Sequence, residues 1–157
     1  MGLDMYLKKK IFLGWNYEHR TKDLTLPDLS KFGITANKIS EVNEDAGYWR
    51  KANAIHKWFV DNVQDGNDDC SLESEVTKEK FEALFVAVMS ELSIRDGNAE
   101  LGNPGDFLPC QPGFFFGSYE YNEWYYESLE YTRDLVDDIL KNWPDTFDIN
   151  YYYQSSW

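Results

Sequence analysis

Five side chains that could contact a ligand are crowded into one short segment. Trp49, Asn53 and His56 follow one another at intervals of four and three residues, the spacing that places side chains on one face of an α-helix. Arg50 and Lys57 lie beside them in the sequence. Cations suit a phosphate or a carboxylate, an indole can stack on a flat ring, and a half-buried amide or imidazole needs a hydrogen-bond partner. These residue types predict a binding site for a small anionic ligand such as a nucleotide-like molecule.

The segment that carries these side chains is predicted to be a helix over 48–63. Tyr48, Ala52, Ile55 and Phe59 recur at helical spacing and form a core stripe, and the polar side chains fall on the neighbouring stripe, at the border of the core. A purely structural interpretation stays open beside the functional one. Amide and imidazole groups at such a border often bond to nearby backbone, and exposed cations often pair with acids.

A second segment is expected to form the opposite wall of this site. Three consecutive phenylalanines at 114–116 predict a buried strand, which leads into a helix over 119–142. The N-terminus of a helix attracts anions, although two glutamates in the first turn oppose that attraction. Ser118, Tyr121 and Trp124 are therefore the predicted ligand contacts on this wall.

Patterns typical of catalysis and of metal binding are absent from the sequence. The chain has no P-loop, no Gly-x-Gly-x-x-Gly and no Gly-x-Ser-x-Gly, and its two histidines, His19 and His56, show no metal-ligand spacing. We therefore predict no metal and no cofactor. An enzyme that uses His56 as acid or base, with Cys70 as a conceivable nucleophile, stays open as an alternative function.

The charge of the chain is uneven. The formal net charge is −13, which divides into +3 for residues 1–60 and −16 for residues 61–157. An acidic surface argues against direct nucleic-acid binding and against an anionic membrane. It is explained by solubility alone or by docking of a basic partner, so a second alternative is an acidic protein that inhibits a nucleic-acid-binding factor of the host.

Cysteine content and hydropathy set the expected compartment. Two cysteines, Cys70 and Cys110, are too few for a disulfide framework and predict free thiols in a reducing cytosol. The basic run at residues 8–10 is followed by only a short apolar run, so we expect no secretory signal. No stretch approaches the ~18 apolar residues of a membrane span. These features leave the oligomeric state open.

The fold class predicted from periodicity is α+β, in a single domain over residues 1–157. A mixed or antiparallel sheet of about five strands is expected to pack against three helices, over 48–63, 77–92 and 119–142. Period-2 alternation and strand-like composition predict strands over 2–7, 11–17, 38–43, 71–76, 114–116 and 147–153. The first strand and the 114–116 strand are expected to be central in the sheet.

Three segments resemble a group of small bacteriophage and bacterial proteins whose function is not established. They are Met1-Gly2-Leu3-Asp4-Met5-Tyr6-Leu7, Gly47-Tyr48-Trp49-Arg50-Lys51-Ala52-Asn53-Ala54-Ile55-His56, and Gly113-Phe114-Phe115-Phe116-Gly117-Ser118 with Tyr121 and Trp124. The resemblance covers most of the chain but not 18–46 or the part after Trp143. It implies a phage or prophage accessory protein in the bacterial cytoplasm, and brings no activity and no catalytic residue. Together with the mixed cationic and aromatic segment, it favours sequestration of a host signal, which would counter a host defence.

Overall fold

Four antiparallel strands and three α-helices make up the part of the chain that the computed structural model describes, residues 2–14 and 28–157. The strands are β1 (Asp4–Phe12), β2 (Glu41–Arg50), β3 (Ser74–Val76) and β4 (Ile149–Ser156), and the helices are α1 (Asn53–Val63), α2 (Lys78–Arg95) and α3 (Glu123–Lys141). Short 3-10 turns lie at Ser30–Phe32, Ala36–Lys38 and Ala99–Leu101. The α+β class and the three helices are confirmed.

The sheet has the strand order β2-β1-β4-β3. The first strand is central, as expected, and β4 confirms the strand predicted near the end of the chain. Alternation explains which face of the sheet is covered: Met5 and Leu7 of β1 are buried, as are Tyr151 and Tyr153 of β4. These side chains point towards the helices, because successive strand residues face opposite sides of a sheet.

Aromatic side chains join the helices to the covered face. Phe59 of α1 stacks on Tyr153, with ring centroids 4.1 Å apart, and Phe81 of α2 packs edge-on against Tyr151 at 5.4 Å. Burying a side chain of this size contributes about 1.5–3 kcal/mol, so contacts of this kind hold the two layers together. Helical spacing predicts an inner face for the last helix, made of Tyr121, Tyr125, Leu129, Thr132, Val136 and Ile139. The last five are buried within α3 and confirm it, whereas Tyr121 precedes α3 and is 38% exposed.

The first helix begins at Asn53, and not at residue 48 as the sequence pattern predicts. Residues 48–50 belong to β2, and α1 begins only at Asn53. Lys51 separates the two elements with a φ of 56°, a left-handed conformation that neither a strand nor a helix continues through. The single helical stripe predicted to run from Trp49 through Asn53 to His56 is therefore wrong.

The other differences concern strands. The predicted strand over 114–116 is a turn, in which the Phe116 N–H donates to the Gly113 carbonyl oxygen at 3.1 Å. The predicted partner strand over 11–17 is wrong where it can be compared, because Ile11 and Phe12 continue β1 and residues 15–17 lie outside the described residues. The sheet accordingly has four strands in the described residues, against the expected five or so.

Candidate functional site

A tight connection between β2 and α1 forms one side of the site. The Lys51 N–H donates to the Leu3 carbonyl oxygen at 2.8 Å, which anchors the connection to the chain just before β1. Gly117 packs against it so closely that a Cβ there would lie 3.1 Å from the Lys51 Cβ. Gly117 also has a φ of 95°, which favours glycine for a second reason. Arg50, Lys51 and the start of α1 are thereby held beside residue 117.

The N-terminus of α1 differs from those of the other two helices. Its cap residue is Ala52, which has no side-chain acceptor for the first N–H groups, and its first turn contains no acid. In contrast, α2 and α3 each have a glutamate in the first turn, and the Asn122 side chain caps α3. Free N–H groups and the helix dipole favour an anion at such an end.

Asn53, the first residue of α1, ties two distant loops to this end of the helix. Its side-chain nitrogen donates to the carbonyl oxygens of Phe116 at 3.1 Å and Ser118 at 2.7 Å. Its side-chain oxygen accepts the Gln111 N–H at 3.1 Å. Asn53 is only 4% exposed, so both ends of its amide are satisfied within the protein, and we assign it to building the site.

A cleft of about 530 Å³ opens where these segments meet. It is lined by the end of β2, the first residues of α1 and α3, and the loop that precedes α3, namely Arg50, Lys51, Ala52, Asn53, Ala54, Cys110, Gly117, Ser118, Glu120, Asn122, Trp124, Tyr125 and Ser128. The volume is in the range of small-molecule sites, about 300–1,000 Å³. The lining combines two cations, one acid, two aromatic rings and several backbone and hydroxyl groups.

Four of the eight ligand contacts predicted from the sequence line this cleft. They are Arg50, Asn53, Ser118 and Trp124. Arg50 is exposed, and its Nε lies 3.9 Å from the Asp4 carboxylate. Trp124 is 77% exposed at the rim. The other four, Trp49, His56, Lys57 and Tyr121, are not part of the lining.

Trp49 is a core residue. It is 3% exposed, and its indole N–H donates to the Thr132 hydroxyl of α3 at 2.8 Å. Its ring packs edge-on against Tyr131 at a centroid distance of 5.9 Å. The polar end of the indole is thus used to join β2 to α3.

His56 lies in the core of the protein, against Tyr153 in the middle of β4. It has no exposed surface, and its Nδ1 is 2.7 Å from the Tyr153 hydroxyl. Its Nε2 lies 3.2 Å from Asp68, within ion-pair distance but outside the angle of a hydrogen bond. Burial lowers the pKa of His56, and the Asp68 carboxylate partly opposes this. A histidine enclosed in this way has no access to a substrate in the cleft.

Lys57 and Tyr121 also have partners elsewhere. The Lys57 ammonium pairs with Asp61, one helical turn away, at 2.6 Å. Tyr121 packs edge-on against Tyr125 at 5.0 Å. The structural interpretation that the sequence left open for the cations therefore applies to Lys57, while Arg50, 3.9 Å from Asp4, is still exposed and lines the cleft.

Several lining residues were not predicted from the sequence, and Lys51 and Cys110 are the most informative. Lys51 stands beside the predicted Arg50 but was read as part of a helix. Cys110 belongs to a long Gly- and Pro-rich loop that begins after α2, and a loop this long in a compact domain is often functional. Burial, followed by the charge of Glu91, raises the pKa of the Cys110 thiol. Cys110 is thus a neutral thiol in the wall of the cleft at pH 7.

Glu91 of α2 holds the loop that carries this wall. It has no exposed surface. Its carboxylate accepts the N–H groups of Gly105, Phe107 and Leu108 at 2.8–3.0 Å. Hydrogen bonds to a charged group are the strong ones, about 1.5–3 kcal/mol each, so this buried carboxylate fixes the loop leading to Cys110.

Comparisons with known proteins do not extend this description. No protein-family model, curated protein sequence or solved structure matches this chain. Across residues 2–14 and 28–157, no group of three or more His, Cys, Asp or Glu side chains is placed to hold a metal ion. In the same residues, none of the helices has the length and apolar character needed to span a membrane.

Proposed function

We propose that the cleft binds a small anionic ligand carrying a planar ring, of nucleotide-like chemistry. The observation that carries the proposal is the convergence of Arg50 and Lys51 with the uncapped N-terminus of α1 on one 530 Å³ cleft. A phosphate or carboxylate placed there meets two cations and free backbone N–H groups at once. Of these two cations, Arg50 was predicted from the sequence and Lys51 was not, and the fold brings both into the lining of the cleft.

The overall charge of the protein opposes an anion, but the local charge favours one. The net charge is −13, yet exposed charges farther away than about 8 Å are largely screened at physiological ionic strength. Within the described lining, Glu120 is the single acid against Arg50 and Lys51, and Asp4, 3.9 Å from the Arg50 Nε, lies outside the lining. Each charge-assisted hydrogen bond adds about 1.5–3 kcal/mol, so the near groups outweigh the distant ones.

Aromatic side chains at the rim favour a ring on the ligand. Trp124 is 77% exposed, a large apolar surface left in water, and it lines the cleft together with Tyr125. Stacking on such a ring contributes about 0.5–1.5 kcal/mol beyond burial. A ligand with an anionic group at α1 and a flat ring against Trp124 would use both walls of the cleft.

The biological role that follows is sequestration. In the phage setting that the sequence resemblance implies, a protein that binds a nucleotide-like host signal would lower its free concentration and counter a host defence. Binding alone suffices for this role. No histidine is found in the described lining of the cleft, and His56 is sealed from it, so we assign no reaction.

Calorimetry with three probes tests the two halves of the proposal separately. Inorganic phosphate supplies the charge, adenosine the ring, and adenosine monophosphate both; we expect the last to bind most tightly. Arg50→Gln should weaken the phosphate-containing probes about tenfold, and Trp124→Ala should weaken the ring-containing ones by a few-fold. Lys57→Gln is the matched control, because it removes a cation of the neighbouring helix outside the cleft and should leave binding unchanged.

The outcomes separate the proposal from its competitors. A folded protein that binds none of the three probes contradicts the proposal for this ligand class. Equal weakening by Arg50→Gln and Lys57→Gln would show that general charge, and not the cleft, attracts the probe.

A further inference from the structure

The outer edge of β2 is the longest strand edge without a neighbouring strand in the described part of the chain. In the order β2-β1-β4-β3, β2 has ten residues and pairs with β1 only, whereas the opposite edge strand, β3, has three. A long edge presents a row of backbone N–H and C=O groups that can accept another strand. Such an edge in a protein is either protected or used for binding.

Helix α3 lies alongside this edge. The Tyr48 N–H donates to the Tyr131 hydroxyl of α3 at 3.2 Å, so α3 occupies the edge at that point. Gly47 sits against Leu135 of the same helix, since a Cβ there would lie 2.5 Å from the Leu135 Cδ2. Beyond Tyr48, the stretch from Glu41 to Ala46 continues the edge with mostly exposed side chains.

The charges around this edge are strongly acidic. Glu41, Glu44 and Asp45 are exposed on the strand. On the adjoining helix, exposed Asp134 and Asp138 continue the acidic surface. Glu44 and Tyr151 both pair with Lys9 in the sheet, and the carboxylates of Glu44 and Asp138 both raise the pKa of Tyr151, after the larger effect of its burial.

The nearby cations do not neutralise this surface. Lys9 is 3.8 Å from Glu44, whose side chain is still 61% exposed, and Arg133 pairs with Asp134, which is 70% exposed. Ion pairs as exposed as these contribute about 0–1 kcal/mol. A cation brought by a partner can therefore join or replace them at little cost.

We propose that the outer edge of β2, beside the acidic face of α3, docks an extended basic segment of another protein as an additional antiparallel or parallel strand. Backbone hydrogen bonds along the edge would supply affinity, as in other cases of strand addition. Lysine or arginine side chains of the segment would meet the carboxylates of Glu44, Asp45 and Asp138, which would supply specificity and a fast encounter. This site is separate from the cleft and does not depend on the ligand proposed there.

A second copy of this chain is a poor occupant of the same edge. Pairing β2 with itself would bring together Glu41, Glu44 and Asp45 from each copy, and like charges across neighbouring strands destabilise the pairing. Acidic edges of this kind prevent self-association. The same charges attract a basic strand, which is why the structure favours a different protein as the partner.

Fluorescence anisotropy with a labelled peptide tests the docking site directly. The probe is a short peptide in which pairs of adjacent lysines are separated by valine, so that lysines reach both faces of the sheet, and its matched control carries N-methyl groups at alternate backbone nitrogens. The control keeps the charge but cannot hydrogen-bond along one edge, so we expect it to bind at least about tenfold more weakly. Binding of the probe should also weaken steeply with salt.

Paired variants locate the site on the protein. Glu44→Gln with Asp45→Asn should weaken the probe about three- to tenfold. Glu82→Gln with Glu100→Gln removes the same charge from exposed positions elsewhere and should leave binding unchanged. Hydrogen exchange should slow in the β2 amides when the probe is bound.

Several results would overturn the proposal. The folded protein could fail to bind the probe, or it could bind the N-methylated control as tightly as the probe. The two double variants could also weaken binding of the probe equally. Light scattering that shows a dimer, together with β2 amides whose hydrogen exchange slows as the protein concentration rises, would instead assign the edge to a second copy of the chain.

Discussion

The side-chain nitrogen of Asn53 donates to the Ser118 carbonyl oxygen at 2.7 Å across 65 residues of sequence. With the bonds to Phe116 and Gln111, this contact joins the start of α1 to the loop that precedes α3. The cleft exists because these segments are held together. A side chain that looked like a ligand contact in the sequence is therefore a positioning residue.

Asn53→Asp should open the cleft while changing few atoms. A carboxylate cannot donate, so the carbonyl oxygens of Phe116 and Ser118 would lose their partner in a buried site, each at about 1–3 kcal/mol. We expect urea unfolding to show a loss of about 2–4 kcal/mol, together with weaker binding of adenosine monophosphate.

The control for this variant lies on the same helix. The Asn62 side chain also donates to a backbone carbonyl, that of Trp58, but in an exposed position. Asn62→Asp should cost less than about 1 kcal/mol. Equal losses from the two variants would show that Asn53 has no special role.

Glu91→Ala tests the loop that forms the wall around Cys110. The variant leaves three backbone N–H groups without their charged acceptor and creates a cavity, so we expect a loss of more than about 3 kcal/mol in urea unfolding. Glu91→Gln keeps one acceptor oxygen and should lose less. Glu82→Ala, on the exposed side of the same helix, should stay within about 0.5 kcal/mol of the parent protein.

Cys110 offers a chemical probe of the cleft, and Cys70 is its internal control. Both are free thiols, but only Cys110 lines the cleft. Because burial raises the pKa of Cys110, its thiolate population at pH 7.5 is small and alkylation should be slow. Mass spectrometry should show that a ligand in the cleft slows Cys110 further and leaves Cys70 unchanged. Equal protection of both cysteines would point to a global effect.

Long periodic elements could be predicted from the sequence, and junctions between elements could not. The inner face of α3 follows a helical pattern over 19 residues, and the pattern alone identified it. Residues 48–59 fit the same period, although the chain changes from strand to helix within them. The change occurs at Lys51, a non-glycine residue in a left-handed conformation, which carries no sequence signal for a break.

The cleft combines residues that only the tertiary structure brings together. Its lining comes from residues 50–54, from Cys110 and from residues 117–128. The three phenylalanines at 114–116 suggested a buried strand, but Phe114 is 95% exposed because the chain turns there. Residue types thus predicted two segments that both contribute to the lining of the cleft. The breaks in the chain at Lys51 and at the 113–116 turn determine which of their side chains face it.

Gly47→Ala tests the close contact between β2 and α3. The added Cβ would lie 2.5 Å from the Leu135 Cδ2, so the Leu135 side chain or the helix must shift, and overpacking of this kind costs about 1–3 kcal/mol. Combining it with Leu135→Ala removes the clash, so the double variant should be more stable than the sum of the two single losses predicts. Thermal unfolding of the four proteins measures this coupling, and strict additivity would contradict the contact.

The buried His56 predicts how stability depends on pH. Burial lowers its pKa in the folded protein below the ordinary value of 6.5. As the pH falls from 7 towards 5, the unfolded chain therefore takes up a proton that the folded protein resists. The free energy of unfolding should then decrease, with a slope of up to about 1.4 kcal/mol per pH unit from this residue.

Urea unfolding of the parent protein and of His56→Gln at pH 7, 6 and 5 separates this effect from others. Carboxylates contribute little at pH 7 and 6, because the ordinary pKa values of Asp and Glu, 3.8 and 4.5, lie well below, and their contribution at pH 5 is common to both proteins and cancels in the comparison. The variant loses the bond to Tyr153 and should be less stable at pH 7, but its stability should change much less with pH. If the two proteins show the same slope, burial does not lower the pKa of His56, and if the parent protein instead gains stability relative to the variant as the pH falls, the ion pair with Asp68, not burial, determines its charge.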